Sequence, residues 1–531
     1  MRDSTLILKR STVTLVVIAL LAALLPACGA KEAPIIVPAG AQAGDLVGLE
    51  PCTYEANKVE YAADCGTLVV PENRNDPDSR LIALPILRIR STGENPGAPI
   101  FDLGGGPGDS NMGFSRVSWF IENYDIVTLG FRGVDGSVLL DCPEISEHIR
   151  SLPGDMLGAA SLNNMATAYS QCASRLQNEG VDLDGYTVIE MIDDMEAARN
   201  ALGYEQLNLL SASYGTRLAM LYSWKYPANI HRSAMIAVNP PGHMVDEPGV
   251  VDEQINYYAT LCAQDPYCSA RTDDLAQTMR EVSHNMPDRW LLFPINAGMI
   301  KMATFQSLGY TSQAAMAFDV WMAAAQGDYS GMALLTLAGP MMFAKATNWG
   351  DNAAKAVSSG DYDSSRDYAT EMNPPDSIIG APRATMMDAW QGWPANRIPD
   401  EYCRVQASDV ETLLVSGNID FFTPAEFATD ELLPALSNGQ QVILSEFGHT
   451  SDVYSLQPEA TRHLLSTFFA TGKADDSLFV HHTVNFKATM SFPAMAKLIV
   501  VAIVLVIIIV IAGVWFIIRR VRQRRAAQVS S

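Results

Sequence analysis

The chain has 531 residues and a formal net charge of −23, with 48% hydrophobic and 18% charged residues. That composition excludes a disordered chain and allows roughly one to four domains with sizeable cores. The acidic balance argues against nucleic acid as a partner, the more so because arginines 519, 520, 522, 524 and 525 crowd the C-terminus and leave the body more acidic still.

The N-terminus is polar with a basic end at Lys9 and Arg10, then apolar over 12–25, then L-P-A-C at 25–28. This n-region, h-region and small-residue site predict a signal segment over 1–28. Cysteine directly after alanine resembles a bacterial lipobox and makes Cys28 a lipidation candidate, although Pro26 departs from that pattern. An ordinary signal peptide or an uncleaved anchor is the alternative. Residues 29–50, rich in Ala, Gly, Pro and Val without periodicity, read as a tether.

Strand patterns follow at 65–70 and 81–90, separated by a turn rich in Pro, Asn and Asp. A short buried strand at 98–103 leads into G-G-G-P-G (104–108), and another at 124–129 leads into G-F-R-G (130–133). Helical patterns cover 161–177 and 188–202. Residues 207–217, L-N-L-L-S-A-S-Y-G-T-R, combine an apolar run, a turn of small residues and the start of an amphipathic helix. A strand at 233–238 ends at Asn239-Pro240-Pro241. Strands alternating with helices predict an α/β fold with a mostly parallel sheet, whose first part is 51–241.

The pattern changes over 242–407, where helices dominate, clear strands are missing and Met and Ala abound. This is too long for a loop and reads as a helical cap inserted into the sheet domain. Met299, Met302, Met316, Met322, Met332, Met341 and Met342 either line an adaptable pocket or pack the cap core. Strands resume at 412–416, before G-N-I-D-F-F-T-P (417–424), and at 441–444, before E-F-G-H (446–449). A helix at 458–471 closes the second sheet segment, 408–472. After a juxtamembrane linker (473–497), residues 498–518 carry no charge, and at about 1.5 Å per residue they span roughly 30 Å, one bilayer core. The stronger positive flank, 519–531, belongs on the cytoplasmic side, which puts the body outside a cell membrane.

Cys52, Cys65, Cys142, Cys172, Cys262, Cys268 and Cys403 fit an oxidising compartment. Proximity suggests pairing 52 with 65, 142 with 172 and 262 with 268, leaving Cys403 over, but sequence does not fix connectivity. There is no C-x-x-C and no zinc-like spacing, so no metal is expected. His481-His482 reads as a solvated surface pair.

Acyl transfer by serine needs a nucleophile, a base, an acid to orient the base and amides to hold an oxyanion. Ser213 lies in the tight turn after 207–212, where Gly215 leaves room for the backbone. Asp420 and His449 each lie in a turn just past a later strand, and the order Ser…Asp…His is that of α/β-hydrolases. The Gly-rich turn 104–108 is where a second oxyanion donor belongs, beside the backbone N–H of Tyr214. The motif G-x-S-x-G has Ser211 in place of its first glycine. Taken singly, Asp420 could be a turn residue and His449 a capping histidine.

These segments, with C-G-T-L-V-V-P-E-N (65–73) and C-A-Q-D-P-Y-C (262–268), resemble the α/β-hydrolase family of proline iminopeptidases and secreted tripeptidyl aminopeptidases over about residues 50–470. The resemblance implies a cap over the site, no cofactor, and release of N-terminal residues from peptide substrates. Carried over by position, it makes Ser213 nucleophile, Asp420 acid and His449 base, with an oxyanion loop around Gly105 and Gly106. Gly130 stands where the family often has Asp. Asp265, Asp273, Asp274 or Glu281 could bind the substrate amine. The rival readings are an esterase acting on small or lipid esters and an inactive binding protein on the same scaffold.

Overall fold

The computed structural model describes residues 35–529 except Pro153 and Ala395, so the signal segment and Cys28 lie outside the described residues. Nine strands form one sheet: β1 (Leu46–Ala56), β2 (Val59–Pro71), β3 (Leu81–Ile89), β4 (Ile100–Leu103), β5 (Ile126–Leu129), β6 (Leu207–Ala212), β7 (Ile230–Ile236), β10 (Thr412–Gly417) and β11 (Gly439–Leu444). Their order is β1-β2-β3-β5-β4-β6-β7-β10-β11. The first three strands and the β3–β5 pair are antiparallel, and every pair from β5 to β11 is parallel. The fold is thus an α/β-hydrolase fold with a mostly parallel sheet. The parallel arrangement brings the ends of β4, β6, β10 and β11 to one edge.

Side chains alternate across the sheet with period two. Leu207 and Leu209 of β6 pack with Val188, Met191 and Met195 of α2 (Val188–Leu202) and Leu218 and Leu221 of α3 (Tyr214–Lys225). Leu210 points to the other face, against a cluster that includes Leu464, Leu465 and Phe468 of the closing helix. Burial on both faces explains why these strands read as apolar runs, not as alternating patterns. Ahead of α2, α1 (Ala159–Asn178) carries Cys172.

The tether expectation fails at its end, because β1 already begins at Leu46. β1 is an edge strand, and its alternation of Cys52, Tyr54 and Ala56 with exposed Thr53 and Glu55 covers only its last five residues. Its pairing with β2 and the Cys52–Cys65 disulfide hold it. Cys142–Cys172 and Cys262–Cys268 are also bonded, and Cys403 is free.

Between β7 and β10 the chain is helical, with α4 (Pro248–Gln264), α5 (Ala297–Leu308), α6 (Thr311–Ala325), α7 (Ser330–Phe343) and α8 (Trp349–Ser358) as its main helices. It does contain strands, against expectation: β8 (Arg289–Trp290) and β9 (Phe293–Pro294) form a hairpin too short to show periodicity. Cap and sheet domain are tied by Arg217 of α3, whose guanidinium meets Asp361 at 2.8 Å with both side chains buried. Asp361 also accepts the amides of Gly242 and Met244, each at 2.9 Å.

After α9 (Pro458–Thr471), the linker is not free-standing. Val484 and Phe486 are buried in the cap core, and α10 (Phe492–Val529) takes in the linker's last residues. α10 is long and apolar enough to cross a membrane, and its apolar stretch is fully exposed. His481 pairs with Glu446 at 3.2 Å and His482 lies against the Phe447 ring, so that pair is only partly solvated.

Candidate active site

β6 ends at Ala212, and Ser213 bridges directly into α3 with φ 53° and ψ −124°. A non-glycine residue there is strained, and such strain is held only where the surroundings determine it. The Ser213 N–H donates to the carbonyl of Ile236 at 2.8 Å. Its carbonyl accepts the Thr216 hydroxyl at 2.6 Å, and that hydroxyl in turn accepts the Asn239 amide at 2.9 Å. A Cβ on Gly215 would overlap the carbonyl oxygens of Leu103 and Gly104, so glycine is required. Ser211 is buried and donates its hydroxyl to the Ala234 carbonyl at 3.2 Å, which is how serine fits where the motif has glycine. Gly130, the other departure, faces Pro85 and Asp135, and a Cβ there would come within 2.6 Å of each.

The structure brings Ser213, His449 and Asp420 into one hydrogen-bonded chain. His449 Nε2 lies 2.8 Å from Ser213 Oγ, and Nδ1 lies 2.7 Å from Asp420 Oδ2. Asp420 is fully buried and otherwise satisfied: Oδ1 accepts the amides of Phe422 (2.9 Å) and Thr423 (3.1 Å), and Oδ2 accepts the Thr423 hydroxyl (2.7 Å). The His449 ring is flanked by Phe422 and Tyr310, at 4.9 and 6.1 Å between ring centres. Its backbone N–H donates to the Gly309 carbonyl of the cap at 2.7 Å.

The Gly-rich turn is seated against the serine. A Cβ on Gly105 would lie 2.6 Å from Ser213 Cβ and 2.8 Å from the Ala212 carbonyl oxygen, so only glycine permits this approach. Gly106 has φ 95°. Buried Asn111 fixes the turn, accepting the Gly104 amide at 2.7 Å and donating to the carbonyls of Asp102 and Leu129, each at 3.0 Å. The cap holds it from above through Thr347 Oγ1 and Asn352 Nδ2 on the Pro107 carbonyl, at 2.9 and 3.1 Å. Tyr214 contributes the opening amide of α3, one of those without a partner inside the helix. Its phenol oxygen is buried without a hydrogen bond among the described residues.

Ser213 opens into a cleft of about 460 Å³ between sheet domain and cap. Met244, Met302, Met342, Met386, Met387, Phe343, Trp349, Trp390 and Phe422 give it an apolar lining. Of the cap methionines named from sequence, Met302 and Met342 line the cleft, whereas Met299, Met322 and Met332 are buried in core. Among the described residues, the one carboxylate in the lining is Asp109, just past the Gly-rich turn. Its side chain is exposed, and desolvation by the protein around it raises its pKa to about 6; the Thr347 hydroxyl opposes the rise and Asp351 adds to it. Arg383 also lines the cleft, already paired with Asp246.

None of the four carboxylates expected for amine binding lines the cleft. Asp265 and Asp274 cap helices through backbone amides, and Glu281 accepts from Gln277. Sequence reasoning missed Thr423, Asn111 and Asp109. Thr423 had a signal, since D-x-x-T past a strand is a side-chain-to-backbone turn pattern. Cys142, Glu144 and Cys172 cluster tightly enough for a metal, but the two sulfurs are bonded to each other and offer no thiolate.

Residues 104–265 match the family described as alpha/beta hydrolase fold, and residues 376–478 match that described as TAP-like protein. A tripeptidyl aminopeptidase of Streptomyces lividans is 28% identical over 280 residues, covering 49% of this chain and 50% of the relative. The serine protease Hip1 of Mycobacterium tuberculosis is 27% identical over 267 residues, covering 46% and 50%. The chain thus spans about half the length of the curated relatives it matches. A proline iminopeptidase structure from Mycobacterium smegmatis covers 80% of this chain and 98% of its own at 13% identity and a TM-score of 0.37.

Proposed function

We propose that the chain, which matches the families described as alpha/beta hydrolase fold and TAP-like protein, is a serine aminopeptidase whose body stands outside a membrane crossed by α10. The observation that carries the reading is the continuous hydrogen-bonded chain from Ser213 through His449 to Asp420.

In this mechanism His449 Nε2 takes the Ser213 proton as Oγ attacks the scissile carbonyl carbon. Asp420 holds the ring and stabilises the imidazolium. The developing oxyanion is received by the amides of Tyr214 and of Gly105 and Gly106, and the opening of α3 adds its positive end. The tetrahedral intermediate collapses as His449 protonates the leaving amine, leaving an acyl-enzyme ester on Ser213. Water deprotonated by the same imidazole then releases the acid and restores the serine.

Asp109 serves as the partner of the substrate's N-terminal ammonium, because it is the one carboxylate among the described residues that line the cleft. The apolar lining also favours a second reading, an esterase acting on hydrophobic acyl groups. The full chain in detergent, wild type and Ser213→Ala, is tested on N-terminally free and blocked peptide amides and on a short-chain ester. Turnover of free but not blocked peptides, lost in Ser213→Ala, supports the aminopeptidase. Turnover of the ester alone moves the function to an esterase, and no turnover of any leaves a binding protein.

A further inference from the structure

The cap exposes large apolar side chains on a hairpin and on the helix it packs against. The β8–β9 hairpin reads R-W-L-L-F-P, and its two turn residues, Leu291 and Leu292, are 66% and 88% exposed. Leu291 has φ 54°. A tight hairpin facing water selects Asn, Asp or Gly for such a turn, and two leucines do not fit that demand. Behind the tip, Trp290 stacks on Phe293 at 6.0 Å. The hairpin packs on α7, which exposes Leu337, Met341 and Met342 by 50%, 76% and 71%.

The first turn of α7 is joined to the base of α10. The Ser330 hydroxyl of α7 donates to the Pro493 carbonyl at 3.2 Å, and Asp328 pairs with Lys497 at 2.8 Å. A Cβ on Gly331 would lie 2.9 Å from the Pro493 ring, so α7 and α10 are in close contact. Ser491 donates to Asp319 at 2.7 Å, and Phe486 is buried in the cap core, so the cap is fixed to the start of the membrane helix, not hung from a loose linker.

We infer that the Leu291–Leu292 tip and the exposed side of α7 form a second membrane attachment, seated in the headgroup–acyl boundary of the leaflet where α10 enters. The inference rests on reading α10 as a membrane span. An exposed apolar patch is unusual on a water-facing body, and a tryptophan behind an apolar tip, next to an arginine, is the composition of an interfacial element. The acidic body gives no electrostatic attraction to anionic lipid, so the attachment works through apolar burial and is insensitive to salt. Met342 and Phe343, at the end of α7, line the Ser213 cleft. The attachment therefore sets one wall of that cleft at the lipid surface.

The test uses the full chain with Cys28→Ser and Cys403→Ser, one copy per phosphatidylcholine nanodisc. Single cysteines are introduced by Leu292→Cys, Met341→Cys, Leu139→Cys or Ile508→Cys and carry an environment-sensitive nitrobenzoxadiazole dye. Leu139 is an exposed apolar residue distant in sequence from the patch. Lipids with a nitroxide near the headgroup should quench positions 292 and 341 roughly twofold or more beyond position 139, at low and high salt alike. Deep nitroxides should quench position 508. If 508 is quenched while 292 and 341 behave as 139 does, the attachment is refuted and the membrane span stands. A blue shift at 292 and 341 without lipid quenching shows a protein surface on the patch and refutes it also. If 508 itself escapes quenching, the membrane span falls and the inference with it.

Discussion

Ser211 turns its hydroxyl back into the sheet, donating to the Ala234 carbonyl of β7 at 3.2 Å. The departure from the elbow motif is therefore absorbed in a strand-to-strand bond and leaves the turn at Ser213 intact. Ser211→Ala should lower stability by about 0.5–1.5 kcal/mol, the net worth of one buried hydrogen bond. It should leave turnover within experimental error of wild type. Thermal unfolding and steady-state kinetics on the same preparation check both.

Thr423 hydrogen-bonds Asp420 Oδ2 at 2.7 Å and lies 3.4 Å from His449 Nδ1. Thr423→Val keeps the shape and removes the hydroxyl. Losing a hydrogen bond to a charged group, about 1.5–3 kcal/mol, should lower kcat by roughly 10- to 100-fold with little change in KM. Thr423→Ser should recover most of the activity.

The raised pKa of Asp109, about 6, gives amine recognition its own pH signature. The carboxylate is charged above that value, and a peptide amine is protonated below about 8. For free-amine peptides, kcat/KM should therefore fall as pH drops through 6, more steeply than for an ester without an amine. Asp109→Asn should raise KM for free peptides about 10- to 100-fold and make the two acid limbs coincide. Unchanged KM would remove Asp109 from amine recognition.

Asp361 carries the join between cap and sheet domain. Burial alone would raise its pKa, yet the Arg217 guanidinium and the amides of Gly242 and Met244 hold it below the usual carboxylate range. Asp361→Ala strands a buried guanidinium, which should cost about 3–5 kcal/mol in unfolding. Denaturant unfolding measures this, and limited proteolysis should find new cuts within 242–361.

The parallel strands and the order of Ser213, Asp420 and His449 were legible because each lies in a turn directly after an apolar run, and parallel strands deliver such turns to one edge. β1 was not legible, since its apolar alternation is confined to Cys52, Tyr54 and Ala56 and its first half carries Gly48 and Pro51. The amine partner was sought in the cap, among carboxylates that turn out to cap helices or stay at the surface. Asp109 escaped because it stands in the loop expected to hold the oxyanion, and no local pattern tells which loop side chains face a cleft that a distant insertion roofs over.

The most direct test of the central claim is to treat the full chain with a fluorophosphonate and locate the adduct by peptide mass mapping. Labelling of Ser213 in the wild type, lost in Ser213→Ala and slowed severalfold or more in His449→Ala, is the predicted result. An enzyme that turns over substrate while Ser213 stays unmodified, or whose adduct maps to another residue, would contradict it.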